Sequence, residues 1–379
     1  MLNFFKRKSK KEDLQRKSAE RRKPGFNALV IKDVRKETSD CVSVAFEVPT
    51  HLKEDYRFIA GQYLTLRNRI GGEEIRRSYS ICSSPLEGEL RVAIKKVPGG
   101  KFSTYANEEL QKGERLEVMT PEGNFHKPLL PSESAQYVAF ASGSGITPIL
   151  SILKTTLETE AKSSFVLFYG NRNTASVIFK EELEDLKNRF MGRLEVHYIL
   201  SREDQGSDLL KGRIDGAKCE AFSKAFFKAD SIKYFYLCGP GDMINDLSLS
   251  LQKLGVGKDR ILFELFSTPG APGLENKRNP SANKGQIISE VTVILDTEET
   301  HFSIGSDGKS ILDAALDAGA DVPFACKGAV CCTCRAKVLE GEVEMAMNYA
   351  LEDEEVEAGY VLTCQSHPRS EKVVVSYDE

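Results

Sequence analysis

The stretch CKGAVCCTC, residues 326–334, puts four cysteines into nine positions. The chain of 379 residues has nine cysteines, an odd number that a complete set of disulfides would not use. No apolar run approaches the length of a membrane span, and the charged N-terminus lacks the apolar core of a secretory signal. A cytoplasmic location is therefore expected, and there thiols stay reduced. Crowded cysteines in that setting read as metal ligands or redox groups.

Spacing decides between them. Four residues separate Cys326 from Cys331, two separate Cys331 from Cys334, and 29 precede the next cysteine, Cys364. A zinc site usually takes two close pairs, whereas Cys364 has no near neighbour in sequence. A redox dithiol would use Cys331 and Cys334 and leave Cys326 unexplained. C-x4-C-x2-C with a distant fourth cysteine is the spacing of a plant-type 2Fe–2S cluster, so Cys326, Cys331, Cys334 and Cys364 are the expected iron ligands. The segment resembles plant-type ferredoxins. Cys332 reads as a small loop residue, and Gly328 is expected to let the loop turn tightly with its N–H groups aimed at sulfur. Around the loop, ISEVTVILD and THFSIG alternate as paired strands. SILDAALDAG carries an apolar helical stripe ending at Gly319, which fits the β-grasp (α+β) arrangement of ferredoxins.

Upstream, residues 266–286 (FSTPGAPGLENKRNPSANKGQ) are rich in Pro, Gly, Ser and Asn and read as a linker. Before it, QYVAFA, SFVLFYG, LEVHYIL and KYFYLCG are apolar or aromatic runs separated by amphipathic stretches such as FKEELEDLKNRF. That alternation predicts an α/β domain whose parallel sheet binds its ligand at the strands' carboxyl ends. ASGSGITP follows the first run and CGPGDM the last. Gly143 and Gly145 permit close backbone approach, and a helix starting near Thr147 offers N–H groups to a pyrophosphate. Two such turns favour a dinucleotide.

The first hundred or so residues are β-rich. IRRSYSICS, residues 75–83, resembles the R-x-Y-S flavin motif of the ferredoxin–NADP reductase superfamily. That resemblance implies an antiparallel β-barrel flavin domain. Arg77 would bind phosphate, Ser78 would line the site, and Tyr79 and Ser80 would face the isoalloxazine ring; a guanidinium suits phosphate and an aromatic ring suits a flavin face. GQYLTL (61–66) and PEGNF (121–125) match other turns of the barrel, and VPGGKFSTY sets Gly99, Gly100 and Ser103 at a helix start suited to the flavin pyrophosphate. FAD is expected over FMN.

The resemblance runs from residue 26 onward in a fixed order: an FAD-binding barrel (26–130), an NAD(P)-binding domain (131–265), the linker (266–286) and a 2Fe–2S ferredoxin domain (287–379), preceded by a basic extension (1–25). That order is found in oxygenase reductases. RRSYSICS, YGNR, ILSRE and CKGAVCCTC look most like the reductases of ring-1,2-phenylacetyl-CoA epoxidases. The resemblance implies that Ser80, Cys238 and Glu264 do the chemistry at the nicotinamide–flavin contact, that Gly239 and Pro240 join Cys238 against the nicotinamide cofactor, and that Phe266 closes over the flavin. Arg172, Ser201 and Arg202, at strand ends, resemble a 2′-phosphate site and favour NADPH, while Glu203 keeps NADH open.

Charge is distributed unevenly. Residues 1–25 hold ten Lys/Arg against three Asp/Glu, and residues 287–379 hold six against nineteen, a net of −13. An acidic ferredoxin domain points to a protein acceptor with a basic docking face, the oxygenase component. The five histidines show no paired spacing, which argues against a Rieske centre and for an oxygen-activating metal in another protein. No nucleic-acid module is recognisable. The leading reading is an electron-transfer reductase running NADPH to FAD to 2Fe–2S to an oxygenase. A stand-alone NAD(P)H diaphorase and a non-catalytic redox-sensing module are the alternatives.

Overall fold

The structure, a computed structural model, describes residues 25–266, 287–351 and 353–379. The expected basic extension (residues 1–24 of it) and linker (267–286 of it) lie outside the described residues.

The first sheet is antiparallel and barrel-like. It is built from β1 (Phe26–Thr38), β2 (Cys41–Glu47), β3 (Tyr63–Ile70), β4 (Glu73–Ser80), β5 (Leu90–Lys95) and β6 (Arg115–Met119), with helix α1 (Lys101–Glu108) against it. Strand order is β4-β3-β6-β1-β2-β5. Its interior is closed by fully buried aliphatics such as Leu29, Ile31, Leu64 and Val92. The GQYLTL turn needs its glycine: Gly61 sits at φ +98°, and a β-carbon there would lie 2.0 Å from the Phe125 carbonyl oxygen.

The second sheet is parallel throughout. It comprises β7 (Gln136–Ser142), β8 (Ser164–Asn171), β9 (Leu194–Leu200), β10 (Ile232–Gly239) and β11 (Ile261–Leu265), in the order β11-β10-β7-β8-β9. Helices α2 (Ile146–Thr159), α3 (Lys180–Arg189), α4 (Gly216–Ala225) and α5 (Gly241–Lys253) connect the strands. β7, β8 and β10 are apolar runs because both of their faces are covered. From β7 the chain moves outward to β8 and β9, then returns across to β10. The switch point therefore falls between β7 and β10, and both glycine turns lie there.

The third unit is a β-grasp. Strands β12 (Ile288–Leu295), β13 (Glu298–Gly305), β14 (Arg335–Glu340), β16 (Tyr360–Leu362) and β18 (Lys372–Ser376) form a mixed sheet, and β15 (Val343–Met345) pairs with β17 (Ser366–Pro368). Helix α6 (Ile311–Asp317) starts on a Ser310 cap that accepts from the Asp313 N–H at 3.2 Å and ends at Gly319, φ +90°. A short acidic helix, α7 (Asp353–Glu357), precedes β16.

Barrel and parallel sheet share a core and a polar seam along α2. Cys41, Ala60, Cys82, Ala93 and Phe125 of the barrel pack in one cluster with Ile149, Ile152 and Leu153. Beside them Ser151 donates to the Ser83 carbonyl at 2.6 Å. The Lys154 ammonium, buried, sits 2.9 Å from Glu87 of the barrel and 2.8 Å from Glu182 of α3. A buried cation stays charged only with such partners. Lys154→Met should lower stability by about 2 kcal/mol, less than the roughly 3–5 for breaking a fully buried pair, because both carboxylates reach solvent. Chemical denaturation measures this, and an unchanged midpoint would show that the seam adds nothing to stability.

Candidate functional site

The two glycine turns pack directly on each other. Gly143 has φ +55°, and its carbonyl accepts from the Tyr169 hydroxyl at 2.9 Å. A β-carbon on Gly145 would lie 2.2 Å from the Cys238 carbonyl oxygen, so only glycine fits. On Gly239 (φ +159°) a β-carbon would meet the Met243 Cε at 2.7 Å and the Ser142 Cβ at 3.1 Å. Pro240 caps α5, with Gly241 as its first residue. The Thr147 hydroxyl is engaged locally, donating to the Ser144 carbonyl at 3.0 Å, so the turn's free donors are backbone N–H groups.

Cys238 is fully buried and faces Glu264 across β10–β11. Burial first, and the Glu264 carboxylate second, push its thiol well above the ordinary range, so it behaves as a small apolar residue. The Glu264 carboxyl accepts from the Ser80 hydroxyl at 2.7 Å, joining the last residue of β4 to the parallel sheet. Its carboxyl end is enclosed even though the residue as a whole is half-buried. Burial lifts its pKa to about 7 against the opposing pull of the Ser80 hydrogen bond. Phe266 follows, donating its N–H to the Gly239 carbonyl at 3.1 Å and packing on the core.

On β4, Arg77 is exposed, with a guanidinium nitrogen 2.7 Å from the Arg76 carbonyl. Ser78 meets Thr65 at 3.2 Å, and the Tyr79 ring lies 5.8 Å from Phe102 of α1. Gly99 (φ +73°) and Gly100, the N-cap of α1, form the expected helix-start turn. The Ser103 hydroxyl is held inside it, accepting from Val97 N–H at 3.1 Å and donating to the Gly100 carbonyl at 3.2 Å. At the far strand ends Arg172, Ser201 and Arg202 are all exposed, and the Arg202 N–H bonds the Arg172 carbonyl at 2.7 Å.

In the cysteine loop Lys327 (φ +51°) and Ala329 (φ +59°), one on each side of Gly328, are left-handed. Lys327 tolerates this because its neighbours hold it: its carbonyl accepts from Gln365 at 3.0 Å and its ammonium bonds Asp313 at 2.7 Å. The Gly328 N–H does point at the Cys326 sulfur, 3.3 Å away. The four candidate ligand thiols form two pairs. Cys326 and Cys331 have their sulfurs 3.1 Å apart, and that hydrogen bond draws the Cys326 pKa down. Cys334 lies within hydrogen-bonding reach of Cys364. Two cysteine pairs suit two irons better than one ion. Cys332 is turned aside, its thiol donating to the Ala350 carbonyl at 3.2 Å.

Sequence reasoning passed over Tyr63 and Arg76. The Tyr63 hydroxyl is hydrogen-bonded to that of Thr333 at 3.0 Å and Tyr63 clusters with Ala325 and Cys331, while Arg76 bonds Asp321 at 3.0 Å. Their only hints were a tyrosine in GQYLTL and a second arginine beside Arg77.

Comparison with known proteins agrees with this construction. Residues 28–127 match the family described as oxidoreductase FAD-binding domain, 140–248 the oxidoreductase NAD-binding domain, and 293–369 the 2Fe-2S iron-sulfur cluster binding domain. Fold and site thus define an NAD(P)H-dependent oxidoreductase with FAD and one 2Fe–2S cluster. The chain belongs to the family of reductase components of multicomponent oxygenases. It is 45% identical to a subunit of the 1,2-phenylacetyl-CoA epoxidase of Escherichia coli (strain K12), over 93% of this chain and 98% of that one. It is 30% identical to the 3-ketosteroid-9-alpha-monooxygenase ferredoxin reductase component of Rhodococcus rhodochrous, over 92% and 96%. The phthalate dioxygenase reductase structure shares the fold, with a TM-score of 0.56 at 24% identity over 93% of this chain and 98% of that one. No helix among the described residues is long and apolar enough to cross a membrane.

Glu264 makes stability pH-dependent. Its folded pKa of about 7 lies above the ordinary 4.5, so folding favours the protonated carboxyl. That contribution is whole below pH 4.5 and is lost as pH rises through 7. Glu264→Gln should remove this fall, worth on the order of 2 kcal/mol after allowing for partial solvent access. Denaturant titrations of both chains across that range test it; parallel curves would mean an ordinary carboxylate.

Proposed function

We propose that the chain oxidises NADPH and delivers the electrons singly to the oxygenase component of a phenylacetyl-CoA epoxidase. The observation that carries the internal part is the Ser80–Glu264 hydrogen bond at 2.7 Å, which ties the flavin motif to the strand paired with Cys238. Nicotinamide held by one and isoalloxazine held by the other would meet at that contact. The 45% identity to the Escherichia coli epoxidase chain, over nearly the whole of both proteins, supports the choice of oxygenase.

Each residue has a stated task. Arg77 would pair with flavin phosphate, with the Gly99–Gly100 turn adding backbone N–H groups. Ser78, Tyr79 and Ser80 would border the ring, and Phe266 would cover it. Gly143, Gly145, Gly239 and Pro240 keep the nicotinamide cleft open to backbone approach, with Thr147 stiffening the first turn and Cys238 forming an apolar floor. Glu264 holds a proton close to neutrality beside Ser80. Bound flavin supplies the conversion between hydride and single electrons, and Cys326, Cys331, Cys334 and Cys364 would hold the cluster that carries them. Arg172, Ser201 and Arg202 suit a 2′-phosphate. Glu203, the residue favouring NADH, is already engaged by the Thr174 N–H and hydroxyl at 2.7 Å each. The acidic ferredoxin domain would be steered onto a basic face of the oxygenase.

The test separates the steps. Cys331→Ser should abolish cluster assembly yet retain NADPH-driven reduction of ferricyanide, which meets the flavin directly. Reduction of cytochrome c and of the purified epoxidase oxygenase should be lost. Arg202→Ala should raise KM for NADPH about tenfold while barely moving that for NADH, since only NADPH offers the charge-assisted contact. Wild-type cytochrome c reduction by Cys331→Ser would make the flavin the exit port, and equal KM changes would return NADH as the donor.

A further inference from the structure

Two side chains of the barrel reach across to the iron–sulfur domain. Tyr63, the first residue of β3, is directly opposite Ser80 in the β3–β4 ladder. It is buried, its hydroxyl and Thr333 Oγ1 are 3.0 Å apart, and it clusters with Ala325 and Cys331, against which Cys326 packs. Arg76 precedes the motif arginine on β4. Its guanidinium is stacked between Phe26, 5.2 Å away, and Phe324 of the iron–sulfur domain, 4.5 Å away. It also bonds Glu74 at 2.9 Å on its own strand and Asp321 at 3.0 Å across the gap. The Arg76 side chain is 5% exposed and that of Asp321 is 80% exposed. The barrel thus supplies a fixed, desolvated socket and the iron–sulfur domain a removable plug.

We propose that Tyr63 and Arg76 are positioning residues that dock the 326–334 loop on the strand pair bearing the flavin motif, setting the rate of electron transfer from flavin to cluster within one chain. This rests on the flavin reading given above. Cys331 clusters with a tyrosine whose ladder partner, Ser80, sits at the nicotinamide–flavin contact, and Cys326 packs against that cluster, so the β3–β4 pair spans the distance between the two redox sites. Over a cycle NAD(P)H gives up a hydride, two electrons cross the dock one at a time, and the hydride's proton is released to solvent. No covalent bond forms between the domains.

The chain loaded with flavin and cluster is mixed anaerobically with NADPH, and flavin reduction and cluster reduction are followed as separate absorbance phases. Asp321→Arg alters an exposed residue and sets two like charges together, which should lower the docked population and slow the cluster phase about tenfold or more. Tyr63→Phe, which removes only the hydroxyl, should slow it by a smaller factor, and Asp321→Asn should fall between Asp321→Arg and the unaltered chain. Flavin reduction should be unchanged in all three, iron and labile sulfide should stay at full content, and solution scattering of Asp321→Arg should give a larger radius of gyration. A cluster phase at the unaltered rate in both Asp321→Arg and Tyr63→Phe would overturn the dock, as would slowing explained by lost iron. Failure of NADPH to reduce the flavin of the unaltered chain would instead overturn the reading of the flavin site.

Discussion

The carbonyl oxygen of Cys238 stands 2.2 Å from where a β-carbon on residue 145 would be, and the site depends on that close approach. Such a distance is inside any real carbon–oxygen contact, so the β7 turn can seat on the end of β10 only when residue 145 is glycine. Once seated, the turn fixes where β10 ends and hence where β11 runs beside it. Register then puts Glu264 opposite Cys238 and within reach of Ser80. A larger residue at 145 would open the switch point and move Glu264 off the barrel.

Charge is managed differently at the seams and at the site. Lys154, Arg76 and Arg91 are buried cations, and each faces more than one carboxylate; Arg91 bonds both Asp33 and Glu89. Buried charge without partners costs several kcal/mol, so these clusters lock elements together only because they are fully matched. Among the described residues Glu264 has a hydroxyl partner and no cation bonded to it, which is why its pKa rises where those of Asp33 and Glu89 fall.

Local pattern made much of this legible. The cysteine spacing, the two glycine turns and the R-x-Y-S strand are short-range signals, and each sits on the element type its period indicated. What stayed hidden was long-range. Tyr63 meets a residue 270 positions away and Arg76 one 245 away, and nothing in a window of sequence records either contact. The left-handed backbone at Lys327 was hidden for the same reason, since bonds to Asp313 and Gln365 hold it there.

The strength of the barrel–ferredoxin contact follows from its parts. An ion pair with one partner largely in water gives less than about 1 kcal/mol, a desolvated guanidinium–ring stack about 2, and a hydroxyl–hydroxyl bond about 1. A few kcal/mol would be a feeble complex between separate proteins. Between domains of one chain, effective concentrations near the millimolar range match that strength and leave docked and open states comparably populated. That intermediate strength suits a relay. A domain held too weakly would receive electrons slowly, and one held as firmly as the α2 seam, with its buried Lys154 cluster and shared apolar core, would keep Cys326 and Cys331 against Tyr63 and away from any other protein.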